Sequence, residues 1–440
     1  MFRREYCPAG HSSDDLGYYN DKNYISPSGL CCLCTKEHSI QEFSNWSSGD
    51  VNVDKIIQES QITDLSYMIE WIPYDNFQNI KHIADGGYGS VYSAMLRKGI
   101  KSYWDFNQQD WKCNLVNDNI ALKEIKDSRY NISEILKMYI MIVREHGPNS
   151  IIKYYGISKN PSTQNYILVE ALFDNNLYNF LTKNYWYLRW KTKLNLLVSM
   201  LEGLESFHDK DLVNCDLHSG NVLINHVFNS YDLKNIILAI DFDSCKLEND
   251  LILNFDHKNN EIYGSIPYIP PGVLRGNKFT REGDIYSFGG IMYEIVTAQQ
   301  PFADQAHDTY LMIDICNDVR PRVPDFMLNW IPKWYLILMN QCWSGDPSKR
   351  PTVTELYDIF DVIPDKLIDN IVDDKIMRRL KRAIENEKKA FKYQKQELYE
   401  LFSYSRKSHP QSCYISRRIH TLHGLHDLLD DTKSGKSPVQ

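Results

Sequence analysis

No apolar run in this 440-residue chain approaches the length that spans a bilayer, so no membrane-spanning helix is expected. The opening MFRREYCPAG lacks the apolar segment of a secretory signal, and the expected location is the cytoplasm, or the nucleus. A regular cysteine pattern is missing too. The ten cysteines are scattered irregularly, which argues for reduced thiols and against a disulfide framework. Nor is there an excess of positive charge: at −8 net, bulk attraction to nucleic acid is not expected. What is present is ordinary for a soluble globular protein, at 43% hydrophobic and 24% charged. Aromatics at 12% argue against disorder over most of the chain. The length allows two or three domains.

The charge is unevenly spread. From Lys366 onward, 16 Lys/Arg stand against 10 Asp/Glu, so the tail carries +6 and the rest −14, which marks a separate unit. The expected organisation is a Cys/His arm over 1–50, a helical linker over 51–73, a main domain over 74–364, a basic amphipathic helix over 365–405 and a flexible tail over 406–440. Within the main domain IKHIADGGYGSVYSA reads as strand–turn–strand, NIALKEI and YILVEAL as strands, and ISEILKMYIMIVREH as a helix. After Leu172 the pattern turns mainly helical, through WKTKLNLLVSMLEGLESFH and DIYSFGGIMYEIVT. A small β-rich part before a larger helical part gives an α+β fold class with two lobes. Between Val91 and Lys123 lies RKGIKSYWDFNQQDWKCNLVND, which predicts an extended hairpin, read as solvent-exposed decoration.

The chemistry concentrates in VNCDLHSGNVLI and the IDFD that follows. Asp216, Asn221 and Asp241 sit between hydrophobic flanks and offer oxygen ligands suited to a hard cation, with one carboxylate left to accept a hydroxyl proton. Asp and Asn in a turn also serve as helix caps, so each signal alone is weak. GGYGSVY places Gly86 and Gly89 where bare backbone can cover phosphates, although glycine pairs more often mark a tight hairpin. Lys123 ends an apolar strand, a position for either a snorkelling surface lysine or a phosphate ligand. Its carboxylate partner is expected on the next helix, with Glu134 the candidate and a register that centres Met138 or Tyr139 the competitor. The ordered set of glycine loop, Lys123, Asp216, Asn221, Asp241, SIPYIPP and DIYSFG is what chance does not supply.

On these motifs, residues 74–362 resemble a eukaryotic-type protein kinase domain, and DLHSGN and DIYSFG look most like the tyrosine-kinase-like branch. The resemblance implies a bilobal kinase fold with ATP and Mg²⁺ as cofactors and a protein substrate. It assigns Asp216 as the carboxylate that orients and deprotonates the acceptor hydroxyl, Lys123 with Glu134 to the phosphates, and Asn221 and Asp241 to Mg²⁺. Ile83, Val91, Ala121 and Leu223 would sandwich adenine, Glu170 and Leu172 would supply the hinge, and Gly86 and Gly89 would cover the phosphates. Val169 falls at the gatekeeper position, and Asp284 would brace the catalytic loop from beneath.

The departures from the family pattern matter as much. Asn214-Cys215 replaces His-Arg, Asp243 replaces the glycine after Asp-Phe, Gly272 replaces a glutamate that would pair with Arg350, and His218 replaces the lysine typical of serine/threonine kinases. Loss of the arginine weakens control by loop phosphorylation, with Ser244, Tyr263 and Ser265 as the remaining hydroxyls. Two functional readings follow: an ATP-dependent protein kinase acting on Ser/Thr (or Tyr) hydroxyls, or a pseudokinase serving as a nucleotide-binding or scaffold module. The four groups that the transfer needs are retained, which favours the enzyme.

At the N-terminus Cys31 and Cys34 are spaced C-x₂-C, and Cys7 with His11 can complete a tetrahedral Cys₃His zinc site; thiols in a loosely ordered arm are the alternative, and Cys32 is an extra thiol. The ribbon followed by WIPY resembles a lineage-expanded family of fungal kinases. In the tail Ile376, Leu380, Ile384, Phe391, Leu398 and Phe402 recur at near-helical spacing, predicting one amphipathic helix that packs on the helical lobe or on a partner. Acidic residues interrupt its basic face, which disfavours membrane insertion.

Overall fold

The computed structural model describes residues 6–12, 25–26, 28–63, 65–87, 89–126, 131–146, 150–226, 236–253, 261–368, 375–405 and 408–423. The chain divides into two compact units, residues 1–148 with 152–172, and residues 149–151 with 173–440.

The first unit is built on a six-stranded sheet. Its strands are β1 (Glu70–Trp71), β2 (Phe77–Asp85), β3 (Gly89–Leu96), β6 (Asn119–Ile125), β7 (Tyr154–Lys159) and β8 (Tyr166–Ala171), in the order β1-β7-β8-β6-β3-β2; between β3 and β6 the chain forms a separate hairpin, β4 (Ile100–Asp105) and β5 (Asp110–Asn114). Apolar residues of these strands, with Ile72 just after β1, make a core of Ile72, Phe77, Leu96, Ile120, Leu122, Ile167 and Val169. Helices α1 (Cys32–Glu42), α2 (Val51–Thr63) and α3 (Ile132–His146) complete the unit. Helix α2, expected as a linker, buries Val53, Ile56 and Ile57 and touches both α1 and α3; β1 from the WIPY region pairs in parallel with β7. Residues 51–73 are thus part of the packed unit and not a spacer.

The hairpin is present as expected, but it is not mere decoration. Trp104 and Phe106 pack against the buried Cys7, Ile25, Cys31 and Cys34 of the N-terminal arm. Trp104 stacks on His38 at 3.6 Å and donates its amide to Thr35 Oγ1 at 3.1 Å, while Trp111 Nε1 and Lys101 both reach Glu42. The alternation in SYWDF and WKC that marks a strand also leaves one face of aromatic rings to cover. The arm covers it.

The second unit is mainly helical. Its helices are α4 (Leu177–Asn184), α5 (Trp190–His208), α6 (Glu248–Leu253), α7 (Pro271–Leu274), α8 (Arg281–Thr297), α9 (Thr309–Cys316), α10 (Lys333–Cys342), α11 (Val353–Ile368) and α12 (Lys375–Ser405). Short strands join them: β9 (Asn175–Asn176), β10 (Leu212–Val213), β11 (Val222–His226), β12 (Ile236–Ile240), β13 (Lys246–Leu247), β14 (Glu261–Gly264) and β15 (Arg417–His420). Helix α8 is buried nearly all round, which is why DIYSFGGIMYEIVT shows no polar face. Arg350, deprived of its glutamate, donates instead to the carbonyls of Glu282 and Ser344 at 2.8 and 2.9 Å and lies over the Tyr286 ring.

Of the expected tail helix, residues 365–368 belong to α11, and the described helix Lys375–Ser405 buries Met377, Leu380 and Ala383 within this unit; Ile376 and Ile384 are only half-buried. Glu387 on the same helix reaches the buried Lys193 ammonium at 3.7 Å. Side chains of Phe391, Leu398 and Phe402 lie outside those described. Residues 408–423, expected to be flexible, are packed: β15 pairs antiparallel with β14, and Ser416, Ile419 and Thr421 are buried. Residues 424–440 lie outside the description.

Candidate active site

In the second unit the antiparallel pair β11–β12 sets Val222 opposite Ile240, so the residues just before and just after it, Asn221 and Asp241, come side by side. The Asp241 amide donates to the Asn221 carbonyl at 2.8 Å. Asn221 Nδ2 in turn donates to the Asp216 carbonyl at 3.0 Å and to its Oδ2 at 3.3 Å. That leaves Asn221 Oδ1 and the Asp241 carboxylate as hard oxygen donors on neighbouring strand ends, a set that fits Mg²⁺. Asp216 itself is buried.

Asp284 holds this loop from below, as expected. One carboxylate accepts the Asn214 amide at 2.9 Å, the Cys215 amide at 3.3 Å and His208 Nε2 at 3.0 Å. Thr280 caps its helix by accepting from the Gly283 amide. Asn214 fills the place of the missing histidine. Its Nδ2 donates to the Asp241 carbonyl at 2.9 Å, and its Oδ1 accepts the Asp216 amide at 3.2 Å. Cys215 takes a left-handed backbone, φ 64°, and desolvation, with Asp284 next, pushes its thiol well above the ordinary range, which disfavours the reactive thiolate. Phe242 is fully buried beside Phe207, and the Asp243 amide donates to Asp241 Oδ1 at 3.0 Å. Asp243 therefore helps to orient the carboxylate beside it.

His218 is buried, and desolvation pushes its pKa down to about 4. The Gly220 amide donates to Nδ1 at 3.1 Å, so the neutral ring carries its proton on Nε2. That nitrogen faces the Ser416 hydroxyl at 3.0 Å, and Ser416 Oγ lies 2.7 Å from Asp216 Oδ1. Ser416 did not figure among the sequence candidates, because nothing local in YISRRIH connects it to a loop 200 residues earlier. The hydroxyls expected to remain available for phosphorylation are withdrawn from solvent or bonded: Ser244 and Ser265 are buried, and Tyr263 donates to the Ser416 carbonyl at 2.8 Å.

In the first unit Lys123 is buried on β6, opposite Val91 on β3 and Leu168 on β8; Ala121 on the same strand pairs with Ser93 and Glu170. Val169 is fully buried, Ile83 is half exposed, and Leu172 is half-buried. Gly89 is required by space, since a Cβ there would meet the Glu124 carbonyl at 1.9 Å; the Gly86 amide closes the turn on the Gly89 carbonyl at 2.8 Å. Glu134 lies on the exposed side of α3 and accepts from Asn131 Nδ2 at 3.1 Å at the helix start. The buried side of that helix carries Ile135, Leu136 and Tyr139, with the Tyr139 hydroxyl taking the Tyr154 amide at 3.2 Å. Leu223, of the second unit, is half-buried and faces Asn176 across β9–β11.

The Cys/His cluster forms as predicted. Cys7, His11, Cys31 and Cys34 bring their ligand atoms within 4.8 Å of one another. The three Sγ atoms lie 3.3, 3.6 and 3.4 Å from His11 Nδ1. Such separations suit the edges of a tetrahedron about a metal bonded at ~2.0–2.3 Å. Burial first, then the neighbouring thiols, push the Cys34 thiol far up; a dication would relieve that crowding. Glu37 contacts His11 Nε2 at 3.1 Å and fixes which nitrogen faces the sulfurs. Cys32 is buried but stands outside the cluster.

Residues 77–360 match the family of protein tyrosine and serine/threonine kinases, and the chain belongs to that family. Its α+β architecture is the kinase fold, with a β-sheet lobe, a helical lobe, an N-terminal Cys/His arm and a C-terminal helix. Among curated relatives it is 24% identical to the probable serine/threonine-protein kinase roco5 of Dictyostelium discoideum, over 70% of this chain and 10% of the relative. It is 26% identical to the putative serine/threonine-protein kinase/receptor R818 of Acanthamoeba polyphaga mimivirus, over 71% and 17%. It is 25% identical to the probable serine/threonine-protein kinase drkD of Dictyostelium discoideum, over 69% and 21%. The match spans about a tenth to a fifth of these relatives' length. Among the described residues no helix is long and apolar enough to cross a membrane.

Proposed function

We propose that this chain is an active ATP-dependent protein kinase that transfers the γ-phosphoryl group to serine or threonine hydroxyls of a protein substrate. The observation that carries the reading is the intact bonding of Asp216, Asn221 and Asp241 despite the altered residues around them. Asn214 replaces a family residue yet supports Asp241, and the backbone amide at Asp243 still reaches its carboxylate, which argues against the pseudokinase alternative. The relatives' names support Ser/Thr as acceptor. The motifs DLHSGN and DIYSFG support a place in the tyrosine-kinase-like branch, and the Cys/His ribbon before WIPY supports the fungal expansion.

In this reading Asp216 accepts the acceptor proton. Lys123 serves the α- and β-phosphates, with Gly86 and Gly89 above them. Ile83, Val91, Ala121 and Leu223 hold adenine, and the backbone of Glu170 and Leu172 forms the hinge. Asn221 and Asp241 would hold Mg²⁺, which neutralises charge on the transferring phosphates. For the carboxylate facing Lys123, Glu134 remains the proposal, reached by turning away from Asn131. Cys7, His11, Cys31 and Cys34 would hold a structural Zn²⁺. The proposed location is the cytoplasm or nucleus.

The test is transfer from labelled ATP with Mg²⁺ or Mn²⁺ to a generic protein, beside Asp216→Asn and Lys123→Met. Removing a positioned base should lower the rate by about 10²–10⁴-fold. Equal signal from wild type and Asp216→Asn would sink the enzyme.

A further inference from the structure

The tail segment 408–423 is fastened along the second unit by a continuous set of bonds. The His409 amide donates to the Ala303 carbonyl at 2.7 Å, the His307 amide to the Gln411 carbonyl at 3.1 Å, and the Cys413 amide to His307 Nδ1 at 3.0 Å. The Tyr414 hydroxyl reaches the Pro301 carbonyl at 3.0 Å, with its ring edge-on to His307. Past Ser416, the strand β15 runs antiparallel to β14, from Gly264↔Arg417 to Glu261↔His420, with Ile419 buried. Among the described residues β14 pairs with no other strand, so the two form a two-stranded ribbon, a main-chain pairing of the kind by which extended peptides are bound. Ser416 is set by it at one atom. Its Oγ accepts from His218 Nε2 and donates to Asp216 Oδ1 at 2.7 Å, within the reach required of a general base. One lone pair of Oγ is left for bond formation.

We propose that residues 413–421 occupy the protein-substrate groove as a built-in substrate, and that Ser416 is phosphorylated in cis. This rests on the kinase reading above. Ser416 Oγ forms a bond to the γ-phosphorus of ATP while the bond from that phosphorus to the β–γ bridging oxygen breaks. ADP leaves with the electron pair, and the hydroxyl proton passes to Asp216 and then to water. The product sets a phosphate against the Asp216 carboxylate in a buried site, so repulsion drives the segment out and frees the groove. Before that step the segment excludes other protein substrates.

The experiment uses the full chain, phosphatase-treated and then given ATP and Mg²⁺. Mass spectrometry follows Ser416 while a generic protein reports transfer in trans. Ser416 should be modified at a first-order rate unchanged on dilution, and trans transfer should show a lag that ends as Ser416 fills. Ile419→Asp, which breaks the strand, should start about tenfold faster in trans without a lag, the factor that one buried aliphatic side chain is worth. Ser416→Ala should never leave the lag. Trans transfer with Ser416 unmodified, or modified in proportion to protein concentration, would overturn this proposal and leave the kinase reading standing. No transfer to either acceptor, in wild type and Ile419→Asp alike, would overturn both. Hydrogen exchange gives a readout without activity: amides of 417–420 should be protected in wild type and exposed in Ile419→Asp. Unprotected amides in wild type would also overturn it.

Discussion

Asn214 Nδ2 donates to the Asp241 carbonyl at 2.9 Å, so a residue standing where the family has histidine ties the loop of Asp216 to the end of β12. Its Oδ1 holds the Asp216 amide from the same side chain. Asn214→Ala should therefore lose about 1–3 kcal/mol of stability, since it leaves buried partners unsatisfied. Denaturant unfolding checks that figure. Transfer activity should fall with it, and Asn214→His should recover more of both than Asn214→Ala.

His218 supplies a pH dependence. Its pKa falls from 6.5 unfolded to about 4 folded because burial disfavours the imidazolium. Between those values the unfolded chain binds the extra proton. The contribution of His218 is therefore fully present above pH 6.5 and is lost as pH falls towards 4. The full difference is about 3 kcal/mol. Thermal melts of wild type and His218→Gln should agree in pH slope above that window and diverge within it, with wild type the more acid-sensitive.

Glu70 supplies the opposite sign. Burial pushes it from 4.5 up to about 8, so the folded chain keeps it protonated at neutral pH. Its contribution is present below pH 4.5 and is lost as pH rises through about 8. Glu70→Gln keeps the shape and cannot ionise. Melts at alkaline pH should show the variant more stable than wild type, with the gap closing in acid.

The Cys/His cluster predicts one bound zinc per chain, measured by elemental analysis, and its loss in Cys31→Ser. Chelation should also release the arm from the β4–β5 hairpin. Trp104 stacks on His38 at 3.6 Å, so its fluorescence reports that release. A fully folded, metal-free chain with unchanged Trp104 emission would refute the metal site.

Most of the fold was legible because its signals are local. The strand patterns around Gly86, Lys123 and Val169 and the apolar run of α8 each announce their element within a few residues. Asn221 and Asp241 come together because the antiparallel β11–β12 pair converts short sequence separation into contact. What was not legible depends on partners far away in the chain. The hairpin after Leu96 read as decoration because its ring face is covered by an arm some seventy residues earlier. The tail helix was expected to bury Ile376, whereas Met377 is the residue inside, a shift of one that periodicity alone does not resolve. YISRRIH read as flexible because a lone strand has no stability until a distant strand pairs with it and the rest of the fold packs against the pair.

The sequence by itself determined the kinase fold, the candidate carboxylates and amide of the proposed transfer site, and the four residues of the Cys/His cluster. Each rests on residues whose chemistry and spacing are enough to specify them. Only the tertiary structure decided that Asn214 supports Asp241, and that the tail lies along β14 with Ser416 against Asp216. Those are contacts of a hydrogen-bonding group with one distant partner. Such a contact leaves no periodic trace in the chain and exists only once the backbone has been folded around it.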